Sequence, residues 1–233
     1  MQLTKADLDA VERELCRRSL AAFAKRAWRV LEPAAELKWG WALDAICLHL
    51  EAVTDGRITR LLMNVPPGSM KSLLTGVIWP AWEWGPRNMP EMRFVGTAHE
   101  ETLAIRDSRR CRDLIKSEWY QSLWPLKLAA DLDGKREFGN TSKGIRQARS
   151  FTSLTGVRGD RIILDDPISA DNANSAAKLE AAADRASRAE ARAEQIEQQL
   201  FLARATGHDI DGREDTTVGH RAIETQLHVA GAL

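Results

Sequence analysis

The sequence contains few cysteines, no long apolar run and no net charge. Its three cysteines, Cys16, Cys47 and Cys111, are widely spaced and form no CxxC pair, so they indicate reduced, buried thiols rather than a zinc or redox site. No apolar run approaches the roughly 18 residues of a membrane span, and residues 1–15 are charged where a signal peptide requires an apolar stretch. We therefore expect a soluble, unexported protein that does not bind a membrane.

The overall charge gives no sign of a nucleic-acid partner. The 33 basic and 33 acidic side chains cancel, so any basic surface must be local. Residues 93–161 hold 14 Lys and Arg against 9 Asp and Glu. This local excess favours a DNA-facing side that contacts phosphates without reading bases.

Aromatic residues and proline are nearly absent after residue 170. All eight Trp and all eight Pro lie at or before Pro167, and the later segment has a single aromatic residue, Phe201. We predict a helical lead at residues 1–55, an α/β core at 56–171, a long helix at 172–206 and a loose tail at 207–233. The tryptophans are expected to be core and interface anchors rather than platforms that stack on bases.

Within the core, short apolar runs alternate with helical patterns. Strands are predicted at residues 60–65, 93–98 and 161–166, with a hairpin within 137–150. Helices are predicted at residues 5–31, 41–53, 70–84 and 99–116, the third of them disturbed by Pro80. This alternation indicates an α/β fold with a mostly parallel sheet and flanking helices.

The segment at residues 64–72, NVPPGSMKS, follows the first predicted strand and opens a helix, which is the setting of a phosphate-binding loop. Backbone amides in such a loop point at the anion, Lys71 would reach the β and γ phosphates from an exposed position, and the Ser72 hydroxyl would bind magnesium. The pattern GxxxxGK[ST] is not met in full, because Val65 and Met70 occupy its glycine positions. A Pro-Pro-Gly turn before an ordinary helix is the alternative interpretation. The candidate nucleotide-binding residues are Gly68, Ser69, Met70, Lys71 and Ser72.

The predicted strand at residues 161–166 ends in two acids, as a Walker B strand does. The first acid, Asp165, would support the magnesium ion, and the second, Asp166, would orient the attacking water. Most such ATPases use Glu in the second role, and Asp166 is one methylene shorter. The alternative is a buried strand followed by an acidic helix N-cap.

Three stretches carry a more specific pattern: GRITRLLMNVPPGSMKSLLTGVIWPAWEWGP, AHEETLAIRDSRRCRDLIKSEWYQSLWP and TGVRGDRIILDDPIS. Together they resemble the ATPase domain of phage large terminase subunits, in which PP precedes the loop glycine and MKS or GKS follows it. The resemblance implies a P-loop NTPase-like fold with ATP and Mg²⁺ as cofactors. It also implies that ATP hydrolysis drives double-stranded DNA into a procapsid in the host cell cytoplasm. The expected partners are this DNA, a small terminase subunit, a portal protein and further copies of the chain.

The resemblance further implies an arginine, on the helix after the second strand, that stabilises charge on the transferred phosphate. Arg106 and Arg109 are the favoured candidates among the four arginines of that helix, because a spacing of three puts them on one face. For each of them, a solvated position or a DNA contact is the alternative.

Two features depart from the family pattern. Residues 39–46 contain no Gln to read adenine, and no RNase H-like nuclease with its magnesium-binding acids follows Asp171. We therefore expect an ATPase part without DNA cleavage, and no metal at the acidic loop of residues 208–215. Two other functions stay open: a different P-loop ATPase that acts on DNA, and an idle remnant of a truncated or frame-shifted gene.

Residues 178–204 have the apolar spacing of a coiled-coil seam. Apolar side chains from Leu179 to Ala203 follow alternating steps of three and four, and residues 175–206 contain neither Gly nor Pro. The pattern predicts a continuous helix. That helix either pairs with a second copy of itself or packs against the core.

Overall fold

The computed structural model describes residues 4–66, 68–154, 157–166, 180–181, 184 and 225–229. Three helices precede the sheet in the chain, namely α1 (Lys5–Arg18), α2 (Leu20–Leu31) and α3 (Trp41–Thr54). The single helix predicted at residues 5–31 is wrong, because Ser19 takes an extended conformation with φ −139° and ψ 119° and ends α1. The Ser19 hydroxyl then accepts the Ala22 N–H and caps α2.

The described strands form one sheet. In chain order they are β1 (Arg60–Leu62), β2 (Arg93–Ala98), β3 (Leu128–Asp133), β4 (Glu137–Asn140), β5 (Ile145–Ser150), β6 (Arg161–Asp165) and β7 (Thr225–Val229). Their order across the sheet is β1-β7-β6-β2-β5-β4-β3. The pairings from β1 to β5 are parallel, and β4 joins β5 and β3 in antiparallel fashion. The chain is therefore α/β with a mixed sheet.

Strand β7 lies between β1 and β6, and no sequence pattern predicted it. Its Leu227 stands opposite Leu61 on one side and Ile163 on the other. The region 207–233, predicted to be a loose tail, thus contains a strand, while the rest of it, including the acidic loop at 208–215, lies outside the described residues. Of the long helix predicted at 172–206, residues 180, 181 and 184 are described and are helical. Its pairing or packing lies outside the described residues.

The helix after β1 contains a π-helical turn. It continues from α4 (Lys71–Leu73) through the π turn (Leu74–Ile78) into α5 (Trp79–Trp84). Proline has no N–H to bond the carbonyl four residues back, so a regular α-helix through Pro80 would lose a bond. In the π turn the Trp79 N–H instead donates to the Leu74 carbonyl, five residues back. The predicted disturbance at Pro80 therefore takes the form of a wider turn, and the helix continues to Trp84.

The second half of the core carries two further helices, α6 (Glu101–Lys116) and α7 (Glu118–Leu123), and a short 3₁₀ turn (Phe151–Ser153). The predicted helix at residues 99–116 ends where α6 ends, and helix α7 was not predicted. Ser117 divides them, because it is extended with ψ 147° and its hydroxyl accepts the Tyr120 N–H. None of the described helices is long and apolar enough to cross a membrane.

The core is rich in aromatic side chains. Trp79, Trp82 and Trp84 are at most 2% exposed, and Trp79 and Trp84 both pack edge-on against Phe94. The predicted core role of the tryptophans therefore holds for α5, whereas Trp41 is 83% exposed. The three cysteines are buried free thiols, as predicted, and burial raises the pKa of each to about 12.

Candidate active site

Strands β1 and β6 bring the predicted loop and the two acids to one edge of the sheet. Both strands run parallel to β7, so their carboxyl ends lie at the same edge. The loop leaves β1 at this edge and α4 begins at Lys71. Strand β6 ends there at Asp165. Residues far apart in the sequence thus meet where parallel sheets place their ligands.

Two loop residues take the left-handed conformation. Gly68 has φ 79° and Met70 has φ 58°. A left-handed φ costs an ordinary residue roughly 1–2 kcal/mol and glycine almost nothing. Met70 therefore adopts the backbone conformation of the glycine that the common pattern has at this position. Between them, Ser69 has a buried hydroxyl that finds no hydrogen-bond partner among the described residues.

Lys71 is the central cation of the site. Its side chain is only 9% exposed, so the expectation of an exposed lysine is wrong. The burial follows from its partners: the Lys71 ammonium lies 3.7 Å from Asp165 Oδ1 and donates a hydrogen bond to Asp166 Oδ1. A buried ammonium requires such compensation, because its desolvation is costly. The two acids at the end of β6 supply it.

Asp165 has the surroundings of a metal ligand. Burial raises the pKa of its carboxyl, while a hydrogen bond with the Ser72 side chain opposes the rise. Its Oδ1 atom is buried and accepts no hydrogen bond from a described residue. A hydroxyl beside a carboxylate suits Mg²⁺, which takes one or two protein oxygens and completes its shell with phosphate and water. No cluster of three His, Cys, Asp or Glu side chains that could hold a metal ion occurs among the described residues. Ser72 and Asp165 are oxygen-bearing side chains that lie together at this site.

Asp166 follows β6 in an unusual conformation. Its φ is 44°, in the left-handed region. The Asp166 carboxylate accepts the Lys71 hydrogen bond, although its side chain is 43% exposed. The Asp166 carbonyl accepts the backbone N–H of His99 over 3.2 Å. His99, which no sequence motif singled out, therefore belongs to the site.

A buried polar layer lies beneath the loop and was also missed from the sequence. Arg146 of β5 is 1% exposed, and its Nη2 donates to the Gly76 carbonyl over 2.9 Å. Burial lowers the pKa of Arg146, and Asp107 of α6 opposes this. A Cβ added at Gly76 would lie 3.5 Å from the Asp107 Cβ atom, so helix α6 and the π turn are in close contact there.

The four arginines of α6 have different surroundings. Arg106 Nε donates to Asp107 Oδ1 over 2.9 Å, and this bond raises the Arg106 pKa, with Asp165 adding to the effect. The Arg109 side chain is exposed and forms no hydrogen bond or ion pair with any other described residue. Arg110 pairs with Glu32, and Arg112 donates to the carbonyl oxygens of residues 133 and 134. Arg106 is thus paired with Asp107 on its own helix, whereas the Arg109 side chain has no described partner.

Comparison with known proteins adds nothing to this geometry. No protein-family model matches the chain, and no curated protein matches it in sequence.

Proposed function

We propose that the chain binds and hydrolyses Mg²⁺-ATP, as the ATPase part of a DNA-packaging motor of the large terminase type. One observation carries the proposal. Lys71, 95 residues before Asp166 in the chain, is buried against both acids at the end of β6. A lysine and a serine at the start of a helix, set against two acids from a parallel strand, form the arrangement that P-loop enzymes use for phosphoryl transfer.

The loop and Lys71 would bind the phosphates. A left-handed Gly68 and Met70 turn the backbone before α4, and amides in such a turn cradle anions. The Lys71 ammonium has three N–H donors, and one of them donates a hydrogen bond to Asp166. The other two can bind phosphate oxygens while Lys71 keeps its contact with the acids.

Ser72 and Asp165 would hold Mg²⁺, which neutralises charge on the phosphate oxygens when it is bound. Asp165 is a buried carboxylate whose negative charge a bound cation would stabilise. Asp166, which is more exposed than Asp165, would accept a hydrogen bond from the attacking water. The two acids thus differ in burial in the sense that their proposed roles require.

An arginine would stabilise charge on the transferred phosphate. Arg106 is the candidate within one chain, because its helix α6 contacts the π turn behind Lys71 and its charge interacts with that of Asp165. Arg109 is exposed, and it suits a role toward a neighbouring copy or DNA. From the resemblance of the three stretches of sequence to phage large terminase subunits, we propose a P-loop NTPase-like fold and a location in the host cell cytoplasm. The partners proposed on the same basis are double-stranded DNA, a small terminase subunit, a portal protein and further copies of the chain.

Release of phosphate from ATP by the purified chain with magnesium tests the proposal. The parent should turn over, and Lys71→Ala should not. Lys116→Ala is the matched control, because Lys116 also pairs with an aspartate, Asp133 at 2.5 Å, but on the surface. Equal rates for the parent and Lys71→Ala would contradict the proposed site.

The same assay separates the two other functions. Stimulation by single-stranded but not by double-stranded DNA would indicate a different P-loop ATPase. Nucleotide binding without turnover in every condition would indicate the idle remnant. Stimulation by double-stranded DNA is the outcome expected for a packaging ATPase.

A further inference from the structure

His99 holds the second acid of the site from a neighbouring strand. Strands β2 and β6 are parallel and adjacent, and their last residues, Ala98 and Asp165, are paired. His99 and Asp166 directly follow these strand ends. The His99 backbone N–H donates to the Asp166 carbonyl oxygen over 3.2 Å, and His99 Nδ1 lies 3.1 Å from the same oxygen. Two groups of one residue thus converge on one carbonyl.

The second contact fixes where the imidazole carries its hydrogen. A carbonyl oxygen only accepts hydrogen bonds, so Nδ1 must be the donor. The neutral ring of His99 therefore carries its hydrogen on Nδ1 and leaves Nε2 as an acceptor. The bond to Asp166 determines this tautomer.

Asp166 has an uncommon backbone conformation. Its φ of 44° lies in the left-handed region, which Asp adopts more readily than most other residues but still seldom. Its carboxylate accepts a hydrogen bond from Lys71, and the side chain is 43% exposed. The direction of that carboxylate depends on the Asp166 backbone as well as on Lys71, and His99 bonds that backbone.

We propose that His99 is a positioning residue, whose Nδ1–H holds the backbone of Asp166 so that the Asp166 carboxylate is directed into the site. This inference rests on the proposed ATP hydrolysis. It concerns turnover rather than binding, because the described hydrogen bonds of His99 go to Asp166 and none goes to residues 68–72. Loss of the Nδ1–H bond should lower kcat and leave KM unchanged.

Two amide substitutions separate positioning from direct action. The side-chain nitrogen of Asn can take the place of Nδ1, whereas the longer Gln places its nitrogen near Nε2. His99→Asn should keep kcat within about threefold of the parent, while His99→Ala and His99→Gln should lower kcat about 10- to 100-fold, the range for residues that orient functional groups. His49→Ala is the matched control, because His49 Nδ1 lies 2.7 Å from the Ala45 carbonyl on the exposed face of α3.

Steady-state ATP hydrolysis by these four variants, with thermal melting of each, tests the proposal. Full kcat in His99→Ala would overturn it, and so would a pattern in which Gln restores turnover and Asn does not. If kcat and the melting temperature fall together and KM changes in all three His99 variants, the role of His99 is merely structural. That result would also overturn the proposal. A parent without turnover would overturn the proposed function and this inference together, whereas an active parent with any of the other results would overturn only the inference.

Discussion

Arg146 Nη2 donates a hydrogen bond of 2.9 Å to the carbonyl oxygen of Gly76. That carbonyl lies four residues before Pro80, which has no N–H to offer it. A side chain from β5 thus satisfies a helix carbonyl that the sequence of the helix leaves without its regular partner. The π turn behind Lys71 is in this way tied to the sheet.

The Arg146 side chain packs against Gly96 of the neighbouring strand β2. A Cβ added at Gly96 would lie 2.3 Å from Arg146 Nη1, a distance that no side chain tolerates. Because the guanidinium is buried and cannot move into solvent, Gly96→Ala should lower the free energy of unfolding by about 1–3 kcal/mol. Chemical denaturation measures this loss.

The matched control is Gly40→Ala, where an added Cβ meets nothing within 4 Å. Gly40→Ala should lower the free energy of unfolding by less than about 1 kcal/mol, because the N-cap residue Gly40 has no side-chain cap hydrogen bond to lose. In an Arg146→Ala background the cost of Gly96→Ala should largely vanish. An unchanged cost in that background would show that the clash with Arg146 is not its cause.

Met70 offers a test of the loop backbone. Its φ of 58° is tolerated by glycine and poorly by β-branched residues. Met70→Gly should therefore retain ATP turnover, since the relief of roughly 1–2 kcal/mol of backbone strain offsets the loss of its partly buried side chain. Met70→Val should lower turnover at least tenfold in the phosphate-release assay.

Met89→Val is the control for that substitution. Met89 packs against the same core and is not among the residues with positive φ. It should keep parent turnover. Equal effects at both positions would mean that side-chain packing, and not the left-handed backbone, limits the loop.

Asp165 should decrease the stability of the protein in the absence of magnesium. Burial raises the pKa of its carboxyl above the ordinary value of 3.8. The folded state therefore binds this proton more tightly than the unfolded state, and the stability so gained is lost as pH rises through the folded pKa. At pH 7 in a chelator, Asp165→Asn should melt at a higher temperature than the parent, and the difference should shrink as pH falls.

The exposed Asp131 on β3 provides the comparison for that experiment, because Asp131→Asn should leave the melting temperature unchanged. A lower melting temperature for Asp165→Asn at pH 7 would show that the ion pair with Lys71 outweighs the cost of burial. The same substitution should abolish magnesium-dependent nucleotide binding. Asp165 is thus expected to lower the melting temperature of the magnesium-free protein and at the same time to be required for nucleotide binding.

Local sequence patterns predicted the elements with strong periodicity or clear end signals. Strand β2 matches its predicted range, and α3, α6 and β6 lie within two residues of theirs. The break at Ser19 was missed because apolar spacing continues across it and the cap is a single residue. Strand β1 is shorter than predicted, since the chain turns into the loop after Leu62.

The site was only partly predictable for a physical reason. The loop at residues 64–72 and the two acids at the end of β6 each belong to a recognisable local motif. Lys71 and Asp165 could therefore be selected from the sequence alone. His99 lies 67 residues from Asp166, and Arg146 lies 70 residues from Gly76. Neither belongs to a local motif, because the pairing of β2 with β6 creates the first contact and the approach of the π turn to the Arg146 side chain of β5 creates the second. The burial of Lys71 likewise depends on residues far away in the sequence, Asp165 and Asp166.

The central claim is that Lys71 binds phosphate at a magnesium-dependent ATP site. Calorimetric titration of the purified chain with a non-hydrolysable ATP analogue and magnesium measures this directly. The parent should bind one analogue per chain, Asp166→Asn should bind with similar affinity, and Lys71→Ala should lose about 10- to 100-fold in affinity, the equivalent of one hydrogen bond to a charged group. A parent that does not bind, or a Lys71→Ala variant that binds as the parent does, would contradict the account.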